Sequence, residues 1–192
     1  GHGAGVNQGL RLATGLYYKV VDSDDWVDAD ALAEVIATIK KHKEEGTLPD
    51  LYITNFIYDR VCDNESFTRR YVKNMPVGKF FGWDDVKPFH GSSVLLMHAL
   101  MYKVSVLREC GLELPKHTFY VDNIFAYVPL PYVKTMFYLD VDLYHYYIGR
   151  ADQSVNVSSF SKRTDQQNRL MLIKANAYDV RSLKKITKPL YK

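Results

Sequence analysis

Cysteine is scarce in this sequence. Only Cys62 and Cys110 occur, with no C-x-x-C pair and no histidine spacing suited to zinc. A disulfide scaffold and a zinc-finger fold are thereby excluded, and free thiols in a reducing cytosol are expected. Long apolar runs are also missing. The longest, residues 94–106, is interrupted by His98, Lys103 and Ser105 and falls short of the roughly 18–20 apolar residues of a membrane span. Charge of one sign is not in excess either. Twenty-five Lys and Arg against 22 Asp and Glu give a net charge of +3, too small to make nucleic acid the expected partner. No repeat or low-complexity tract is found. With 47% apolar and 24% charged residues over 192 positions, the chain can bury one core, which excludes a disordered or collagen-like chain. What it has in quantity is tyrosine. Aromatics reach 14%, with 15 Tyr, a content suited both to half-wet clefts for polyhydroxylated ligands and to half-buried strands.

Val6, Leu10 and Ala13 recur at helical spacing after the glycine-rich segment 1–5, and Gly15 is placed to end that helix. Tyr17-Tyr18-Lys19-Val20-Val21 reads as a buried strand. Asp28 is placed to cap a helix over 29–45, whose Leu32, Val35, Ile36 and Ile39 form one apolar stripe closed by Gly46. Residues 51–60 and 66–72 read as two strands of a hairpin around Cys62-Asp63-Asn64-Glu65. Residues 74–88, with Pro76, Gly78, Gly82, Trp83 and Pro88, form an irregular loop of the kind that carries function. A strand is expected within 93–102, then helices over 104–110 and 121–127. Strands follow at 133–139 and 143–148, and Ser161 caps a last helix over 162–185. Strands alternate with helices early and pair as hairpins later, so the fold class is α/β with a mixed sheet flanked by helices.

Chemistry concentrates at Asp22-Ser23-Asp24-Asp25-Trp26. Side chains alternate along a strand, so Asp22 and Asp24 are expected to point the same way, about 6.6 Å apart at roughly 3.3 Å per residue. Two carboxylates at the C-terminal end of a strand before a helix form a hard-oxygen site for Mg²⁺ or Mn²⁺ with a phosphate. The plainer alternative has Asp25 and Asp28 capping the next helix and the others solvated. An EF-hand is excluded, since the fifth, sixth and twelfth positions from Asp22 are Trp26, Val27 and Ala33. A phosphohydrolase with Asp22 as nucleophile normally wants a small β-branched residue where Trp26 stands.

Several segments together carry a resemblance. Asn7-Gln8-Gly9-Leu10, Ala13-Thr14-Gly15 and Val20-Val21-Asp22-Ser23-Asp24-Asp25-Trp26-Val27 are followed by Phe119-Tyr120-Val121-Asp122-Asn123-Ile124-Phe125. Tyr144-His145-Tyr146-Tyr147 and Gly149-Arg150-Ala151-Asp152-Gln153-Ser154-Val155 complete the series. In this order and spacing the chain resembles the middle of a bacterial family 2 glycosyltransferase of GT-A fold, over most of residues 1–155. The resemblance implies a Rossmann-like mixed sheet, with residues 1–155 a partial catalytic domain carrying the metal and acceptor half. Residues 156–192 would be a C-terminal helical extension packed on it.

The implied activity is transfer of a sugar from a nucleotide-diphosphate donor to the hydroxyl of a saccharide or lipid-linked saccharide, with inversion, in cell-envelope or exopolysaccharide synthesis. By the same resemblance Asp24 is the metal ligand, and Asp22 contacts the ribose or the metal shell. Asp25 either supports that site or caps the helix. Mn²⁺ or Mg²⁺ would offset the developing charge of the leaving nucleoside diphosphate. Asp122 matches the base that takes the acceptor's proton, although a helix-capping role at Asn123 is equally compatible with its place. Asn7 would lie near the nucleotide, Arg150 near the diphosphate, and Trp83 and His90 on the acceptor side. Two positions depart from the family: Val6 replaces an Arg before Asn7, and Val121 replaces a Glu before Asp122. The Q-x-x-R-W signature of processive polymerases is absent, which favours single additions over chain synthesis.

The sequence opens Gly1-His2-Gly3 without Met, where the family has already built its first βα units. The expectation is an N-terminally truncated domain, inactive alone, that lacks most of the nucleotide pocket. Val6, Val121 and the missing front leave room for a non-catalytic relative that binds a sugar or a partner. Localisation is expected to be cytoplasmic. Lys184, Lys185, Lys188 and Lys192 in the basic tail offer contact with anionic lipid at the inner membrane face or, alternatively, a solvated helix face.

Overall fold

The computed structural model describes residues 1–60, 65–89, 94–149, 163–179 and 181–183. Its elements in chain order are α1 (His2–Leu12), β1 (Tyr17–Tyr18), β2 (Trp26–Val27), α2 (Ala29–Glu44), β3 (Leu51–Arg60), β4 (Glu65–Arg69) and β5 (Phe80–Phe81). Then follow β6 (Leu100–Lys103), α3 (Val104–Glu109), α4 (Asp122–Tyr127), β7 (Met136–Ile148) and α5 (Thr164–Ala177). One mixed sheet runs β1-β6-β3-β7-β2, with β4 paired to β3 and β5 to β7. Among the described residues β3 and β7 pair in parallel, and the other strand pairs are antiparallel. This is the mixed α/β architecture expected.

The period of two along the central strands sorts side chains between two layers. Tyr52, Met101, Phe137 and Leu143 face α2, where Val35 is fully buried with Leu32 and Ile39 beside it. Leu51, Ile53, Leu100, Tyr102 and Tyr144 face the other way, into the main core with Val6 and Leu10 of α1, Val106 and Leu107 of α3 and Ile124 and Phe125 of α4. Leu170 of α5 joins that core. Among the described residues no helix is long and apolar enough to cross a membrane.

Several boundaries differ from the sequence reading. α1 ends at Leu12, where Ala13 turns extended (φ −62°, ψ 126°) and Arg108 donates to its carbonyl at 2.7 Å; Gly15 is not the terminator. The expected strand 17–21 shrinks to Tyr17–Tyr18, paired with Lys103 and Tyr102 of β6. The Asp22 carbonyl accepts from the Asp25 amide at 3.1 Å, so Asp22 to Asp25 is a turn and the alternation argument for Asp22 and Asp24 does not apply. The strands expected at 133–139 and 143–148 are one strand, β7, whose register against β3 slips between Ile53 and Phe56. Asp140-Val141-Asp142, between the two expected strands, is a bulge within β7. Its carboxylates accept from Asn55 Nδ2 at 2.7 and 2.8 Å and from the Arg70 guanidinium at 2.9 and 2.7 Å. Part of the strand expected within 93–102 is a 3-10 turn over Met97–Ala99 before β6. Ser161, the Cys62-Asp63-Asn64 part of the hairpin turn and the tail lysines lie outside the described residues.

The cap on α2 is as read. Asp28 is extended (φ −68°, ψ 131°) and its Oδ1 accepts from Ala31 N at 2.8 Å, while Gly46, at φ +70°, follows the helix end. Asp28→Ala leaves the first-turn amides of α2 without that acceptor. A loss of about 0.5–2 kcal/mol is expected, read as a drop of several degrees in a thermal melt. An unchanged melt would remove the cap from the stability of the fold.

Candidate active site

A cleft of about 930 Å³ opens between the acidic turn, the first turns of α1 and the segment 117–122 that leads into α4. Asp22, Asp24 and Asp122 all line it, so residues a hundred positions apart in sequence meet in one space. Asp25 sits behind the turn. Its Oδ2 accepts from the Tyr144 hydroxyl at 2.5 Å and its Oδ1 from the Tyr147 amide at 2.9 Å. The same Tyr144 hydroxyl accepts from Asp22 N at 3.2 Å. The turn is thereby fixed to β7 at both ends. Burial pushes the Asp25 carboxyl up to about 6, against the hydrogen bonds from Tyr144 and Tyr147. Asp25 caps no helix, since Asp28 does.

Asp122 is the first residue of α4, after Val121 at the capping position, and the helix start has no side-chain cap bond. The helix-capping alternative for Asp122 is therefore not what the fold uses. Its Oδ1 accepts from Asn123 Nδ2 at 3.3 Å, and burial raises its carboxyl, a shift that moves a proton acceptor towards neutral pH. The backbone before it is held in an uncommon form. His117 and Tyr120 have φ of 52° and 61°, in the left-handed region that costs a residue with a Cβ on the order of 1–3 kcal/mol. Phe119 N donates to Gln166 Oε1 of α5 at 2.9 Å, and Arg163 stacks on the Phe119 ring at 3.6 Å. The start of α5 thus braces the strained segment.

Three further polar residues at the cleft were not picked out as site residues from sequence. His2 Nδ1 lies 3.1 Å from Asp22 Oδ1, and that contact raises the imidazole. Lys19 is half-buried under the turn, its Nζ donating to the His98 carbonyl at 2.7 Å and lying 5.1 Å from the Tyr144 ring centre; desolvation pushes its ammonium down to about 7. His98 is only 4% exposed. It stacks on Tyr146 with centres 4.4 Å apart and meets Tyr144 edge-on, and burial pushes its imidazole down to about 4, so it is neutral. One ligand atom each of Asp22, Asp25 and His98 lie within 4.8 Å of one another. The available signals were a lysine inside a β-run and a histidine inside the longest apolar stretch. Both are polar interruptions that core packing alone does not ask for.

Other expected site residues are placed elsewhere. The Asn7 side chain does not line the cleft. Its Nδ2 donates to Leu114 O and its Oδ1 accepts from Leu114 N, both at 2.9 Å, so its amide ties α1 to the segment ahead of 117–122. Trp83 is buried and donates from Nε1 to Val133 O at 2.8 Å; its ring belongs to the core and does not line the cleft. His90 and Arg150 lie outside the described residues.

The profile of Glycosyl transferase family 2 matches residues 1–106, more than half of the chain and including the whole acidic turn. The chain belongs to glycosyltransferase family 2. Its fold is GT-A-like, as in S. aureus TarS. The chain is similar to TarS residues 1–349 at 16% identity and a TM-score of 0.56, covering 99% of this chain and 50% of that one. The same TarS segment in complex with UDP gives 15% identity and a TM-score of 0.52, over 96% and 48%. TarS itself gives 14% and 0.53, over 96% and 29%. The sequence thus spans about half, or less, of the structures it matches. No curated protein matches it.

The family fold makes α1 part of the cleft wall, and Asn7 tests how. Asn7→Ala leaves the amide and carbonyl of the buried Leu114 unpaired, at a cost of about 1–3 kcal/mol. A lower melting temperature with unchanged nucleotide diphosphate affinity is expected. Weaker nucleotide binding with an unchanged melt would return Asn7 to the nucleotide side.

Proposed function

We propose that this chain is the metal and acceptor half of an inverting glycosyltransferase. It would act on a nucleotide-diphosphate sugar and pass the sugar to a saccharide or lipid-linked saccharide hydroxyl, in cell-envelope or exopolysaccharide synthesis. The observation that carries the reading is the shared cleft. The acidic turn and Asp122, far apart in sequence, face one space large enough for a sugar, in a family that transfers sugars. The UDP complex of TarS supports a nucleoside diphosphate on the donor side.

The donor set fits a divalent cation. Asp22 and Asp24 offer hard oxygens to the cleft, and burial first, with the neighbouring carboxylates adding to it, raises the Asp25 carboxyl. Asp22 and Asp24 would hold Mn²⁺ or Mg²⁺, which when bound supplies charge neutralisation for the leaving diphosphate. The protein's own steps are then three. Asp25, Tyr144 and Tyr147 hold the turn at the donor. The braced segment 117–122 presents Asp122 across the cleft. Asp122 accepts the acceptor hydroxyl proton as that oxygen bonds the anomeric carbon from the face opposite the breaking bond to the diphosphate.

A second reading is a non-catalytic relative that binds a sugar or partner, favoured by Val121, which is only 2% exposed and offers no second carboxylate beside Asp122. Sugar transfer by the full-length protein separates the two. Within the first reading, Asp122→Asn keeps size and hydrogen bonding but cannot take a proton. Turnover of the full-length protein is expected to fall by about 10²–10⁴-fold, with donor affinity and melting temperature nearly unchanged. Near-normal turnover would remove Asp122 as the base.

A further inference from the structure

We infer that Phe119 is the stacking platform for the acceptor, a saccharide that lays the apolar face of a pyranose ring on it. The inference rests on the reading of Asp122 as the base. It adds the group that holds the acceptor sugar and the shape of sugar that group takes.

Three observations carry it. The first is exposure in the right place. Phe119 is 42% exposed and lines the same cleft as Asp122. A single exposed aromatic on an outer surface is ordinary, but one on the wall of a sugar-sized cleft is placed to meet a ligand. The second is orientation. The Arg163 guanidinium lies over the ring, 3.6 Å from its centre, so one face is covered and the other is left open. Nη1 of that guanidinium is buried without a hydrogen-bond partner among the described residues. The arginine thus gives up a bond that water would have made and is committed to the ring. The third is rigidity. His117 and Tyr120, on either side of Phe119, both have positive φ, and the Phe119 amide donates to Gln166 at 2.9 Å. Strained backbone that its surroundings over-determine is characteristic of segments that clamp a ligand.

The place of the ring selects the acceptor over the donor. A base reaches the proton of the acceptor hydroxyl only at hydrogen-bond distance, so the acceptor sugar lies beside Asp122. Phe119 stands three residues before it, at most about 11 Å along the chain, a short span for a saccharide. The acidic turn read as the donor side forms a different wall of the cleft. Trp83, the aromatic expected on the acceptor side, lies in the core, and Phe119 takes that part. A pyranose with an unbroken face of axial C–H groups stacks on an aromatic face, whose negative quadrupole attracts those hydrogens. A β-glucoside has such a face, whereas an acyclic polyol carries similar hydroxyls without it. Phe119 then reads the shape of the ring, and Asp122 takes the proton of its hydroxyl.

The test is saturation-transfer NMR on the full-length protein, irradiating aromatic protons, with methyl β-D-glucopyranoside and sorbitol as probes. Expected is transfer to the axial ring protons of the glucoside and little to sorbitol. Phe119→Leu should weaken glucoside binding by about tenfold, and Phe119→Trp should keep or strengthen it. UDP affinity, read by calorimetry, should be unchanged in both. No transfer to the glucoside in the wild type, equal transfer to sorbitol, or transfer kept in Phe119→Leu overturns the platform. So does a loss of UDP affinity in Phe119→Leu, which puts the ring on the donor side. Should Phe119→Leu fail to fold, Phe119→Trp decides, and weaker glucoside binding there overturns the platform. The base reading fails separately. Transfer through Phe119 with near-normal turnover in Asp122→Asn removes the base and, with it, the acceptor assignment of the ring. A silent Phe119 with turnover lost in Asp122→Asn sinks the platform alone.

Discussion

Everything at the cleft depends on how the acidic turn is tied down. A four-residue turn carrying three carboxylates repels itself and, left to the chain, would splay into water. Here Asp25 gives up both oxygens to β7, one to the Tyr144 hydroxyl and one to the Tyr147 amide, while Asp22 N donates to the same hydroxyl. One carboxylate is spent on structure so that Asp22 and Asp24 can face the cleft. Tyr144 is fully buried and sits in the parallel pairing of β3 and β7, against Phe56.

That pairing has its own requirement. Between Ile53 and Phe56 the partner on β7 advances from Tyr138 to Tyr144, six residues against three on β3. The irregularity at Asp140 to Leu143 takes up the difference. The insertion places two carboxylates beside the strand, where Asn55 and Arg70 bond them and Tyr138 donates to Asn55 Oδ1 at 2.6 Å. A polar network of Asn55, Arg70, Tyr138, Asp140 and Asp142 therefore holds the irregularity that leads into the residue anchoring the acidic turn, and its partners are satisfied by one another. Its contribution to the cleft is indirect and geometric.

How much of this was legible follows from which interactions are local. The α2 cap, its apolar stripe, the β3 to β4 hairpin and the short helix after Tyr120 each rest on neighbours within a few residues, and each was readable. The acidic cluster and Asp122 were legible as chemistry, through family resemblance and because carboxylates beside an apolar run need a reason. Their meeting was not, since it depends on sheet order. Asn7 and Trp83 illustrate the opposite limit. Each is a residue type suited to ligands, yet Leu114 and Val133, 107 and 50 positions away, take their hydrogen bonds. The continuity of β7 through Asp140-Val141-Asp142 was not legible, because the partners of those carboxylates, Asn55 and Arg70, lie far upstream.

The charge pattern of the cleft closes the account. On one side stand the carboxylates of the turn, on the other Asp122, and between them two basic residues that the sequence pattern hid. His2 touches Asp22 from α1, and Lys19 lies half-buried beneath the turn. Neither neutralises the site fully. Burial lowers the Lys19 ammonium to about 7, so near neutral pH its charge is only partly present, while Asp25 at about 6 is largely ionised there. The excess negative charge is held in place by a braced, strained backbone at His117 and Tyr120 and by tyrosine hydroxyls that cannot relax away. A fold that fixes like charges facing one another, next to a neutral buried imidazole, holds interaction energy that only a cation or a positively polarised substrate atom can collect.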